Sequence, residues 1–372
     1  MMEGQRVEVL ELLRKIQRSA GDQRKIFLAL YGILLFVPMA LVVVAAGRAT
    51  LSGGFAAEME ACFLRPVAAT FGLFSAAFQA GRWGLMAGTV LALWFVAVAA
   101  GSFFGLAITR MAAIELTCER RAEVKEALAF ARRHFLWAFL TPAGLLLAAI
   151  LLLGLAALAF SLGRMSELLL VVAAPAALVL CLASVVLVVG LVAGGVLAWP
   201  TIATEWSDAF DAITRVYGYS FSHSHRVLLY RVGAGLVLMG ATIARGIRAS
   251  FALLCLYLAL VVGFGLDRSN QLVDAVLLEP AAGPPFPRTV AAWTLVACVA
   301  VLLTLAVARL AVYRIVLQQA VYLLLRLKID RVPLATIDGY RPDDSAYDPI
   351  AQGFELVEVE EEIPTGGTAR PA

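Results

Sequence analysis

The chain has 372 residues, 62% of them hydrophobic and only 15% charged, with a formal net charge of +3 and a mean hydropathy of +0.88. That balance excludes a soluble globular protein and a disordered one alike. Several apolar runs reach the roughly 20 residues that cross a hydrocarbon core of about 30 Å, so the expected class is an all-α polytopic membrane bundle.

Residues 1–25 hold six basic side chains and no apolar stretch of signal-peptide length, so the first membrane helix is expected to act as its own uncleaved signal. Six spans are predicted, at 26–47, 84–108, 135–161, 168–198, 228–265 and 290–312. With the N-terminus in the cytoplasm, Lys and Arg number six in 1–25, six in 109–134, three in 199–231 and six in 313–372. The other side holds only Arg48, Arg65, Arg82, Arg164, Arg268 and Arg288. This asymmetry predicts a cell (plasma or inner) membrane protein with both termini cytoplasmic.

Between the first two spans, Val67, Phe71, Phe74 and Phe78 recur at helical spacing near Arg65, Arg82 and Trp83, which predicts a helix lying at the outer membrane surface. The spans 168–198 and 228–265 exceed what a tilted helix needs. Pro175 offers the first a kink. The second carries Arg245 and Arg248 on one helical face; a hairpin turning there would export the basic C-terminal end, so one long, bent helix is expected. The loop before the last span has four prolines between 280 and 287. Residues 332–372 are acidic and poor in apolar side chains, as in a largely disordered cytoplasmic tail.

Two polar interruptions of the apolar sequence share a layout. Each follows a span, carries an early glutamate (Glu115, Glu205), continues as an amphipathic helix with an acidic residue before alanine (Glu126-Ala127, Asp211-Ala212), and passes aromatic and basic residues into the next span. The apolar faces read as Val124, Leu128, Ala131 and Phe135, and as Phe210, Ile213, Tyr217 and Phe221. The transmembrane domain, 26–331, therefore contains two span, surface-helix, span units at 84–161 and 168–265. Over about 110–265 the chain resembles the membrane-embedded domain of some glycerophosphodiester phosphodiesterases and related multi-pass bacterial proteins. The matching residues are Pro200, Glu205, Asp208, Asp211, Ala212, Arg215 and Tyr219; the first copy keeps Glu115, Glu126, Ala127, Arg132 and Arg133 but lacks the proline. The soluble catalytic barrel of some such relatives has no counterpart, because no strand and helix alternation occurs, so the resemblance implies a membrane fold and no activity.

No catalytic, metal or cofactor motif is legible. His223 and His225 are two apart and diverge on a helix, and His134 is the only other histidine. Five cysteines form no CxxC pair. The pairs Gly101/Gly105 and Gly190/Gly194 have GxxxG spacing, for which packing within the chain is the default over dimerisation. Glu115, Glu205, Asp208 and Asp211 are explained as capping carboxylates or as partners of Arg215 and Lys125. Arg245 and Arg248 have no carboxylate within any span to pair with, which makes them either interfacial arginines or an anion or lipid-headgroup site.

The expected function is that of a non-enzymatic scaffold or accessory subunit, with the lipid bilayer and other membrane or cytoplasmic proteins as partners and no nucleic acid. The alternative is a permease or lipid-handling protein that binds an anionic group near Arg245 and Arg248.

Overall fold

The computed structural model describes residues 12–52, 54–55, 58–59, 62, 66–118, 120–162, 167–267, 269–270 and 286–330. A short helix over 12–20 precedes α1 (Gln23–Ser52). Then follow α2 (Pro66–Gln79) and α3 (Trp83–Ala100), which continues through a π-turn, π1 (Gly101–Gly105), into α4 (Leu106–Thr117). The remaining helices are α5 (Val124–Leu162), α6 (Glu167–Glu205), α7 (Ala209–Ser222), α8 (Ser224–Phe264) and α9 (Phe286–Leu325), the last closing in a second π-turn, π2 (Arg326–Asp330). No strand occurs among the described residues. Among the described residues, six helices are long and apolar enough to cross a membrane, which makes this a multi-pass helical membrane protein.

Packing concentrates at one end of the bundle. Ile26, Leu106, Met111, Ala131, Ile202 and Val316, from five different helices, share one buried cluster there. Farther along, the helices turn broad apolar surfaces outward: Leu151, Val179, Val192 and Val262 are all more than 60% exposed, as expected where acyl chains supply the surrounding medium. α8 packs chiefly on α9.

A proline explains how three helices are held in the middle of the bundle. Pro142 lies inside α5 and cannot donate to the carbonyl four residues earlier, that of Ala138. This carbonyl instead accepts from Ser102 Oγ of π1 at 3.2 Å and from Trp199 Nε1 of α6 at 3.1 Å. Trp199 reaches it across Gly101 and Gly105, where a Cβ would come within 2.6 and 2.8 Å of the indole. The first GxxxG pair thus serves packing within the chain. So does Gly190, whose missing Cβ makes room for Tyr217 while Tyr217 donates to the Leu187 carbonyl at 3.0 Å; the side-chain environment of Gly194 lies outside the described residues.

The two polar interruptions differ in form. In the first, no surface helix stands apart: Val124 opens a 39-residue helix that runs on through the predicted span. Glycine and proline are absent between Val124 and Thr141, so nothing ends the helix. In the second, α7 is separate, capped by Asp208, which accepts from the Asp211 amide at 2.8 Å, and parted from α8 at His223. The face α7 buries is Ala209, Ala212, Val216 and Tyr219, whereas Phe210 and Phe221 are exposed. α8 is one helix, so the hairpin alternative does not arise. The helix predicted in 49–83 is present as α2; it buries Ala69, Leu73 and Ala77, and Phe78 meets Trp83 edge-on at 5.0 Å. Arg65, the side chains of Val67, Phe71 and Phe74, and the tail 332–372 lie outside the described residues.

Candidate functional site

The end of the bundle that carries the start of α1 holds two carboxylate networks. Glu115, at the end of α4, accepts from Ser19 Oγ at 2.7 Å and from Lys25 Nζ at 2.6 Å, with Arg24 Nη2 at 3.7 Å from its second oxygen. Lys25 is fully buried and also donates to the Ser19 carbonyl at 3.1 Å and to the Ser19 hydroxyl. Burial alone would raise the Asp22 pKa, but the hydrogen bonds and charge of Arg24 outweigh it and hold the carboxyl below its ordinary range. Glu205, at the end of α6, pairs with Arg215 at 2.5 Å and Arg326 at 3.4 Å and accepts from the Tyr322 hydroxyl. Burial would lower the Arg215 pKa, but the Glu205 charge keeps it raised. Tyr219 donates to Asp330. Glu205, Arg215 and Tyr219 therefore join α6, α7 and the end of α9.

Between the networks lies an internal cation. Arg110 is 4% exposed, donates to the Ala203 carbonyl at 2.7 Å, and sits about 5 Å from the ring centroids of both Phe130 and Trp206. His134 stacks on Phe130 at 4.2 Å and meets Trp206 edge-on. Trp206 is the only non-glycine with positive φ, 58°, among the described residues. His134 and Trp206 are thus absorbed in packing around Arg110.

The predicted pair Arg245 and Arg248 sits midway along α8. The Arg245 guanidinium lies 4.4 Å from the ring centroid of Tyr313 on α9; its Nη1 is buried and has no hydrogen-bond partner. Arg248 is exposed, its Nε donating to the Ala244 carbonyl at 3.1 Å. The other nearby charges are Arg248 and Arg309, the latter exposed on α9. Among the described residues no carboxylate forms an ion pair with Arg245, Arg248 or Arg309. Arg245 thus carries a positive charge with two further arginines near enough to repel it, and an arginine fork is a shape that matches a phosphate or carboxylate.

Sequence reading singled out Arg245 and Arg248 but missed Tyr313 and Arg309, which only the packing of α9 on α8 brings beside them. It named Arg215 as a partner for the carboxylates without saying which, and the structure gives it Glu205; it missed Lys25 as the partner of Glu115. His223 forms the joint between α7 and α8.

Fold and site together define a six-span helical membrane protein with an arginine-rich seam. No protein-family model, curated protein or solved structure matches the chain.

Proposed function

We propose that this protein is a non-enzymatic, lipid-handling membrane protein, oriented with both termini in the cytoplasm of the plasma or inner membrane, and that it binds the anionic head of a lipid at Arg245, Arg248 and Arg309. One observation carries this reading: Arg245 Nη1 is buried without a hydrogen-bond partner beside Tyr313, and among the described residues the charges that act on it are those of Arg248 and Arg309. A desolvated charge of that kind calls for a counter-ion. The surrounding surface selects an amphiphile, since Ile243, Ile247 and Phe251 are 56%, 66% and 65% exposed beside the arginines and suit acyl chains. The scaffold alternative rests on the inner-face helices and the acidic tail, and the tail lies outside the described residues.

The test is retention of phosphatidylglycerol against phosphatidylcholine by the purified protein, read by native mass spectrometry. Each arginine near a lipid surface contributes about 1 kcal/mol, roughly fivefold in affinity. Replacing all three with Gln should lower retention of the anionic lipid by about a hundredfold and leave the zwitterionic lipid unaffected. Unchanged retention by a folded triple variant refutes the reading.

A further inference from the structure

Two cavities share Arg24 in their walls. One, of about 800 Å³, is lined by five cationic side chains, Lys15, Arg18, Arg24, Arg120 and Arg121, and two carboxylates, Asp22 and Glu115. Both carboxylates are already engaged, Asp22 by Arg24 at 2.7 Å and Glu115 by Lys25 at 2.6 Å. Arg120 also faces Glu126 at 3.6 Å, and with that carboxylate counted the pocket still presents an excess of positive charge toward any occupant. The other cavity, of about 990 Å³, is an apolar groove between α1, π1 and α5, lined by Phe27, Tyr31, Leu35, Phe103 and Phe104, with Arg24 and Arg132 as its charged members.

The groove is built by the local sequence. Gly32 lets the π-turn approach α1, since a Cβ there would stand 3.1 Å from the Phe104 ring. The extra residue per turn in a π-bulge changes where successive side chains point, and such bulges recur at functional sites. Here it falls on Phe103 and Phe104, whose rings meet edge-on at 5.1 Å. Directly above Lys25, residues 26–47 of α1 carry no charge over roughly 33 Å, the thickness of a hydrocarbon core, so Arg24 falls where headgroups begin.

From this charge and shape complementarity we infer that the two cavities form a single seat for an acidic phospholipid: the phosphate-bearing head enters the basic pocket against Arg120 and Arg121, one acyl chain lies in the groove against Tyr31, Phe103 and Phe104, and Arg132 stands in the groove wall as a further cation. The seat shares no residue with the Arg245 seam and stands or falls separately from it. Arg120 and Arg121 are exposed on the link between α4 and α5, so their removal spares the core.

The experiment uses the full chain in nanodiscs containing a phosphatidylglycerol analogue with a photoreactive diazirine in its acyl chain, with cross-linked peptides mapped by mass spectrometry. The expected result is preferred labelling of 27–35 and 103–104, competed by phosphatidylglycerol and not by phosphatidylcholine, falling at least tenfold in Arg120→Gln/Arg121→Gln and in the groove-filling Leu35→Trp. Arg245→Gln should leave this labelling unchanged, so loss at the seam alone counts against the seam and not the groove. Labelling spread evenly over all lipid-facing helices, or competed equally by both lipids, overturns the proposal, as does protection by glycerol phosphate in place of lipid, which would make the ligand a soluble anion.

Discussion

Trp199 donates its indole N–H to the carbonyl of Ala138 at 3.1 Å, and that carbonyl is available because Pro142 supplies no backbone donor to it. In an apolar medium the helix defect and the tryptophan are one device. Trp199→Phe should destabilise the protein by about 1 kcal/mol, within the measured range for hydrogen bonds between membrane helices. In a Pro142→Ala background the backbone can reclaim the carbonyl, so the same substitution should cost clearly less. Detergent-unfolding curves for the four proteins of this cycle give the coupling; equal costs in both backgrounds would refute the link.

The glycines beneath the indole make a second test. Gly101→Ala and Gly105→Ala put a methyl 2.6 and 2.8 Å from Trp199, and the rigid ring has little room to yield, so each should lose about 1–3 kcal/mol. Gly144→Ala, in α5 with nothing within 4 Å, is the control and should be neutral or gain up to about 1 kcal/mol from helix propensity. Thermal denaturation in a single detergent compares the three.

Glu205 joins three elements, and its side chain is only 8% exposed. Glu205→Gln removes the charge that Arg215 and Arg326 face, and breaking a buried pair typically costs about 3–5 kcal/mol. Tyr322→Phe removes one hydrogen bond to the same carboxylate and should cost nearer 1–3 kcal/mol. The order of the two losses is the prediction, and urea titration followed by tryptophan fluorescence reads it. At the other network, Lys25→Met combined with Glu115→Gln should be milder than Glu115→Gln alone, which strands a buried ammonium.

The phenol of Tyr219 is raised well above its ordinary pKa, first by burial and then by its hydrogen bond to Asp330. The sign follows from proton linkage: the unfolded chain releases this proton near pH 10 while the folded one retains it, so the contribution is complete below pH 10 and lost as pH rises above it. Wild type should lose stability more steeply than Tyr219→Phe on passing from about pH 9 to 11. Parallel curves in that interval would contradict the assignment.

The membrane class and the six helices could be read from the sequence because apolar runs longer than a hydrocarbon thickness have one physical explanation. The helix α7 was readable from its amphipathic pattern between two apolar runs, and the Asp208 cap that sets it apart is one of four carboxylates read there as caps or ion-pair partners. The fusion of Val124–Leu162 into one helix was obscured because charges at Lys125, Arg132 and Arg133 suggest a surface helix, although charge does not end a helix and only a breaker does. Of the candidate seam, spacing along α8 revealed two arginines. Tyr313 and Arg309 lie more than sixty residues further along the chain, and no periodicity reports a contact at that separation. The bond of Lys25 to Glu115, 90 residues apart, was hidden for the same reason.

The arrangement around Glu205 also has a timetable. Its carboxylate is made before any of its partners; Arg215 follows almost at once, but Tyr322 comes 117 residues later, roughly 6 to 25 s at ordinary rates of synthesis. During that interval the nascent chain holds a half-matched acidic group at the mouth of an assembling bundle, and only arrival of the final helix completes its coordination. A ribosome stalled before that point leaves a product with an open acidic socket, the kind of lesion by which quality-control proteases could tell an unfinished membrane protein from a finished one.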